Sequence, residues 1–126
     1  MRTGETGGFI PRSIEELHER LRDEHPPGEL SLKEDVILWR LPNGVTVWAC
    51  FDAIATVWTD SRGRERQLTH WHPPEDEIFS DLLDICRGRT FWVRKKHALW
   101  EAPPLIMERE NWDRYSERKK RRYEVL

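Results

Sequence analysis

Cysteine is scarce in this chain: 126 residues contain only Cys50 and Cys86. They do not form a Cys-x-x-Cys pair, which excludes a zinc ribbon and a thioredoxin-type redox motif. Each lies in an apolar run, so two buried thiols in a reducing compartment are expected rather than a disulfide. Long hydrophobic runs are also missing. None approaches the ~18 apolar residues of a membrane span, and Met1–Phe9 has glycines and one arginine but no apolar stretch of the signal-peptide kind. The chain is therefore expected to be cytoplasmic, with no membrane partner. Nor is there a surplus of one charge. Lys and Arg total 21 against 23 Asp and Glu, a formal net charge of -2. That argues against a uniformly basic nucleic-acid binder while leaving room for a local basic patch. Gly-x-x-x-x-Gly-Lys phosphate loops, Gly-x-Gly-x-x-Gly dinucleotide turns and Gly-x-Ser-x-Gly nucleophile elbows are absent. No serine has the local context of an activated nucleophile.

What is present begins with tryptophan, seven residues in all. A chain that is 35% charged and 37% hydrophobic borders on the composition of disordered segments. Large aromatics at strand-like positions argue instead for a compact core, and the length suits one domain that needs no disulfide or metal staple.

The order of elements predicts an α+β fold. Residues 1–11 read as a flexible N-terminal segment ahead of a single domain over 12–126. Ser13-Ile14-Glu15-Glu16 is a capping box, and Ile14, Leu17 and Leu21 mark one helical face before His25-Pro26-Pro27-Gly28 ends the helix. Asp35–Leu41 and Val45–Phe51 flank Pro42-Asn43-Gly44, a strong hairpin signal. Ile54–Asp60 and Glu65–His72 flank a second turn at Ser61–Arg64. With Asp52-Ala53 as a tight link, the two consecutive hairpins make an antiparallel meander. Pro73, Pro74 and the acids Glu75, Asp76 and Glu77 suit a helix start, and Ile78, Phe79, Leu82, Leu83, Ile85 and Cys86 give that helix, over 75–87, a broad apolar face that ends at Gly88. Arg89–Lys96 reads as a further strand, Leu105–Met107 as a short edge strand, and Asn111 as the cap of a C-terminal helix. The expected whole is a four-to-six-stranded, mostly antiparallel sheet covered by three helices. Its buried set is Ile14, Leu17, Leu21, Val47, Val57, Ile78, Leu82, Ile85 and Val93.

Three places carry chemistry. His70 and His72 share a strand face with Leu68, and two imidazoles so placed are half of a zinc or iron site. Glu75, Asp76, Glu77, His97 or His25 would have to complete it, and a carboxylate beside either histidine would also make an acid–base pair. Acids in a first helical turn are equally well explained by the helix dipole. The second place is the basic tail 114–126, where Arg114, Arg118, Lys119, Arg121 and Arg122 would meet the phosphates of RNA or DNA, with Arg114, Arg118 and Arg121 aligned along one helix. Arg89, Arg94, Lys95 and Lys96 would widen that patch, with Trp92 or Trp100 for stacking. Truncation before Arg118 should then abolish nucleic-acid binding without altering the fold. Interleaved glutamates make a solvated helix face the competing explanation.

The third place is the tryptophan set Trp39, Trp48, Trp58, Trp71 and Trp92. Part of it belongs to the core, and the rest would form an aromatic sheet face for a protein or small ligand. The missing catalytic set and the abundant tryptophan together favour a small non-enzymatic binding or accessory protein without a cofactor. A metal-binding protein or metalloenzyme at the His-x-His corner and a nucleic-acid accessory protein are the alternatives. Oligomeric state stays open.

Overall fold

A computed structural model describes residues 9–96 and 100–126. The chain is α+β, with the elements in the order α1 (Ile14–Arg22), β1 (Glu29–Lys33), β2 (Val36–Arg40), β3 (Val45–Ala49), β4 (Ile54–Thr59), β5 (Glu65–Trp71), α2 (Ile78–Cys86), β6 (Thr90–Lys95), β7 (Leu105–Glu108), α3 (Arg109–Asp113), α4 (Glu117–Lys120) and β8 (Tyr123–Val125). Strands β1 to β5 form an antiparallel meander in sequence order, and β7-β6-β8 form a second, three-stranded antiparallel sheet.

Helix α1 starts where the sequence predicts. Ser13 Oγ accepts from the Glu16 amide at 3.1 Å, one of the donors that a helix start leaves unpaired. Glu16 reaches back one residue further than a capping box requires, to the Arg12 amide. Ile14, Leu17 and Leu21 are buried against α2 and the inner face of the large sheet. Full burial of a Leu or Ile contributes about 1.5–3 kcal/mol each. Of the expected flexible segment, residues 1–8 lie outside the described residues. Phe9 packs edge-on against Phe79, with ring centroids 5.4 Å apart, and Pro11 is buried.

The link from α1 into the sheet is fixed by two contacts. Trp39 Nε1 donates to the Pro27 carbonyl at 2.7 Å. Gly28 has φ +84°, and a Cβ there would sit 2.0 Å from the Arg40 carbonyl oxygen, so only glycine fits. Beyond it lies β1, a strand the sequence pattern does not announce. Its hairpin to β2 turns through Glu34 at φ 55°, a conformation normally left to Gly, Asn or Asp.

The predicted hairpins are present. The first closes through Leu41 N to Val45 O at 2.9 Å, and the second through Asp60 N to Arg64 O at 2.9 Å. Asp60 is the second turn's anchor. The backbone amides of Arg64 and Arg62 and the guanidinium groups of Arg66 and Arg64 all donate to its carboxylate. The Arg64 amide bond leads in holding its pKa down at about 2.

Alternation sorts the large sheet into two faces. Ile37 and Trp39, then Val45, Val47 and Ala49, then Ile54 and Thr56 point inward to both helices. Leu38, Thr46, Trp48, Ala55 and Val57 point the other way. Val57, expected in the core, is thus a half-exposed residue of the outer face. A bulge between Thr56 and Val57 leaves Leu68 opposite no residue, because one strand there carries an extra residue. Leu68 consequently packs against the core and does not share the exposure of His70.

Helix α2 is shorter than the expected 75–87. Glu77 N donates to Pro74 O at 2.9 Å, so Pro74–Glu77 forms a turn and the helix begins at Ile78. The expected C-terminal helix is instead two short pieces and a strand. Glu108, not Asn111, occupies the cap position of α3, and the chain leaves helix after Asp113 and restarts at the Ser116 cap of α4. Strand β8 then pairs with β6. The opposite faces of β6 serve different cores. Trp92 joins the large cluster, whereas Phe91 and Val93 pack with Trp112, Met107, Tyr115 and Tyr123.

Candidate functional site

The His-x-His corner forms at the end of β5. His70 lies across from Ala55 on the outer face, and Trp71 lies across from Ile54 on the inner face. Past the strand, His72 Nδ1 donates to the Asp52 carbonyl at 2.9 Å, and the two imidazoles stand 4.7 Å apart between centroids. Beside them a cleft of about 660 Å³ runs from Thr69–Pro74 across α2 to β6 and β7. Its carboxylates are Glu77, Asp81, Asp84 and Glu108, and Trp71, Thr90 and Ile106 also line it. Asp81 is buried and accepts from Trp71 Nε1 at 3.0 Å, a bond that locks the indole between strand and helix. A recess of imidazoles and carboxylates favours cations and can exchange protons.

The corner brings only some of the predicted ligands together. Glu77 faces the same cleft as His70 and His72, while Glu75 lines a neighbouring cleft with Ile10, Cys50 and Phe51. His97 lies outside the described residues. Among the described residues, no group of three or more His, Cys, Asp or Glu is placed to hold a metal ion. The sequence does not mark Asp81, Asp84 or Glu108 as candidates for this site. Asp81 and Asp84, one turn apart and following Glu77 at helical spacing, were the available signal. Glu108 comes from a strand that only the tertiary fold brings near.

The tryptophans divide. Trp39, Trp58 and Trp92 are 0%, 5% and 1% exposed, so a partner meeting the folded surface does not touch them. Their expected place on a binding face gives way to a core role, since their strands turn these positions inward. Trp71 is half-buried in the cleft. Trp48 is 39% exposed and stands on the outer face between Leu38 of β2 and Ala55 of β4.

The basic tail does not form one helix, so Arg114, Arg118 and Arg121 do not align along it. Arg114 ends α3 and pairs with Glu110 at 3.1 Å. Lys119 Nζ sits 3.9 Å from the Tyr115 ring centroid. Arg121 caps α4, and the carbonyl of Arg122 accepts from Lys96 N at 2.8 Å. Truncation before Arg118 would remove β8 and the bond from Leu126 N to Trp92 O, so the tail is part of the fold and not a detachable arm.

Both cysteines are free and half-buried. Burial, then the nearby Glu24 charge, raises the Cys86 thiol pKa. On α1, partial burial lowers the pKa of His18, with Arg22 adding to the effect. No helix among the described residues is long and apolar enough to cross a membrane. The chain matches no protein-family model, no curated protein and no solved structure.

Proposed function

We propose that this is a non-enzymatic binding protein whose partner, another protein, lies across the outer face of the five-stranded sheet. The observation that carries this is Trp48. Trp48 is 39% exposed at the middle of a face whose neighbouring side chains are Leu38, Thr46, Ala55 and Val57, while the buried apolar residues of α1 and α2 belong to the opposite, inner cluster. Small molecules take concave sites that wrap most of their surface, whereas an extended sheet face with an apolar centre matches a protein partner. Exposed Arg40 and His70 sit at its rim. Trp and Arg are the residue types that most often dominate such interfaces.

The test is comparative capture. Wild-type protein and Trp48→Glu are used as baits in parallel, and any protein retained only by the wild type is purified and titrated against both. Loss of about tenfold or more in affinity for Trp48→Glu, as for a central interface residue, supports the reading. A confirmed partner that binds both baits equally rejects this face.

A further inference from the structure

We propose a second binding site, for single-stranded nucleic acid, on the surface where the hairpin loop at 61–64, the end of β6 and Trp100 meet. These segments are far apart in sequence and are joined by specific bonds. The Ser61 amide donates to both carboxylate oxygens of Glu101, at 2.8 and 3.2 Å. Lys96 N donates to the Arg122 carbonyl at 2.8 Å. Beside Lys96 and Glu101 is a recess of about 410 Å³ lined by Arg94, Lys95, Lys96, Trp100, Glu101 and Glu124.

Cations dominate this surface although the chain as a whole carries -2. Arg62, Arg64 and Arg66 project from the hairpin, Lys95 and Lys96 from the end of β6, and Arg122 from the chain beside it; all are exposed. Three of the carboxylates among them are already engaged, and the exposed Glu65 stands between Arg64 and Arg66 on the hairpin. Asp60 is buried beneath Arg64 and Arg66, Glu124 pairs with Arg94 at 2.7 Å, and Glu101 holds the Ser61 amide. Arg62, Lys95, Lys96 and Arg122 have no ion pair among the described residues and can meet phosphates.

Charge alone would serve any polyanion; Trp100 narrows the choice. It is 72% exposed, the most exposed large apolar side chain of the described residues, and it stands within the basic recess. A bare indole among phosphate-binding cations is the arrangement that takes an unstacked base, with the backbone tracked by Lys and Arg. In a duplex the base faces are already stacked inside the helix, so the preference is for single strands.

The experiment is fluorescence anisotropy of the full-length protein with end-labelled oligothymidylate and oligouridylate of about 15 nucleotides, a length that covers one such surface, and with a duplex of the same length. Single strands should bind, more weakly as salt rises, because each neutralised phosphate releases counterions. Trp100→Ala should weaken binding about tenfold. Lys95→Glu with Lys96→Glu should weaken it further and reduce the slope of log affinity against log salt by about 1.4. Arg62→Glu, on the separate hairpin, should reproduce part of that loss, and circular dichroism should leave all these surface variants folded. No binding at low salt overturns the proposal. So does unchanged affinity in Trp100→Ala, a duplex bound as tightly as the single strands, or binding to phosphatidylserine vesicles alone. The ratio of the two oligomer affinities tells RNA from DNA preference.

Discussion

The two sheets are built on opposite plans. The large one is a meander in which every neighbour in space is the neighbour in sequence. Its inner face is filled by Trp39, Ile37, Val45, Val47 and Ile54, all fully buried. The small one joins β6 to β8 across 30 residues, as the Arg94–Glu124 bond shows, and its own core is Phe91, Val93 and Trp112 with half-buried tyrosines. Local pairing closes short loops at little entropic cost, and non-local pairing costs more before any contact forms. The large sheet should therefore be the stable body. The small one should be a dependent layer held through Trp92 of β6, Ile106 of β7 and Leu126.

The largest effect that would test this difference is at Trp39. Trp39→Ala empties the centre of the large core and leaves the Pro27 carbonyl without its donor. It should cost about 3–5 kcal/mol, read as a fall in the urea midpoint. A loss under about 1 kcal/mol would mean that the meander is not the dominant core.

Trp112→Ala should cost less, about 3 kcal/mol, the low end for such truncations, because the cluster around it is small. Amide exchange should quicken in β6, β7 and β8 while β2, β3 and β4 keep their protection, the pattern of a separable opening unit. Equal acceleration in both sheets would show a single cooperative unit and dissolve the distinction.

The smallest effect belongs to the turn at Glu34. Relieving a left-handed non-glycine residue returns up to about 1 kcal/mol, so Glu34→Gly should raise the melting temperature by a few degrees. A drop would mean that the Glu34 side chain contributes more than its backbone conformation costs.

The same contrast explains what was legible in the sequence. The Asn43-Gly44 and Ser61–Arg64 turns, the Ser13 cap and the α2 apolar face are local signals, and each appears in the structure. Strand β1 escaped because its turn uses Glu34 where a glycine or asparagine would have signalled it. Strand β8 escaped because three residues after a run of bases carry no period, and its pairing with β6 is set by tertiary contact alone. Candidate sites followed suit. Alternation predicted that the tryptophans would divide between core and surface but not that Trp48 would be the exposed one of the meander, and the spacing of His70 and His72 suggested a metal site where the fold has a cleft. The acids across that cleft, and the bond from the Ser61 amide to Glu101 beside Trp100, depend on which segments the fold brings together.

The late arrival of β8 also bears on how the protein is made. During synthesis the meander can close hairpin by hairpin as the chain emerges. Strand β6 must wait for residues about 30 positions further on. Until then its edge is unpaired, and the apolar side chains of Phe91 and Val93 have no Trp112 or Tyr123 to cover them. A nascent chain paused in that interval is a ready client for chaperones or proteases, and its lifetime would be set by translation speed through residues 96–123 more than by the stability of the finished molecule.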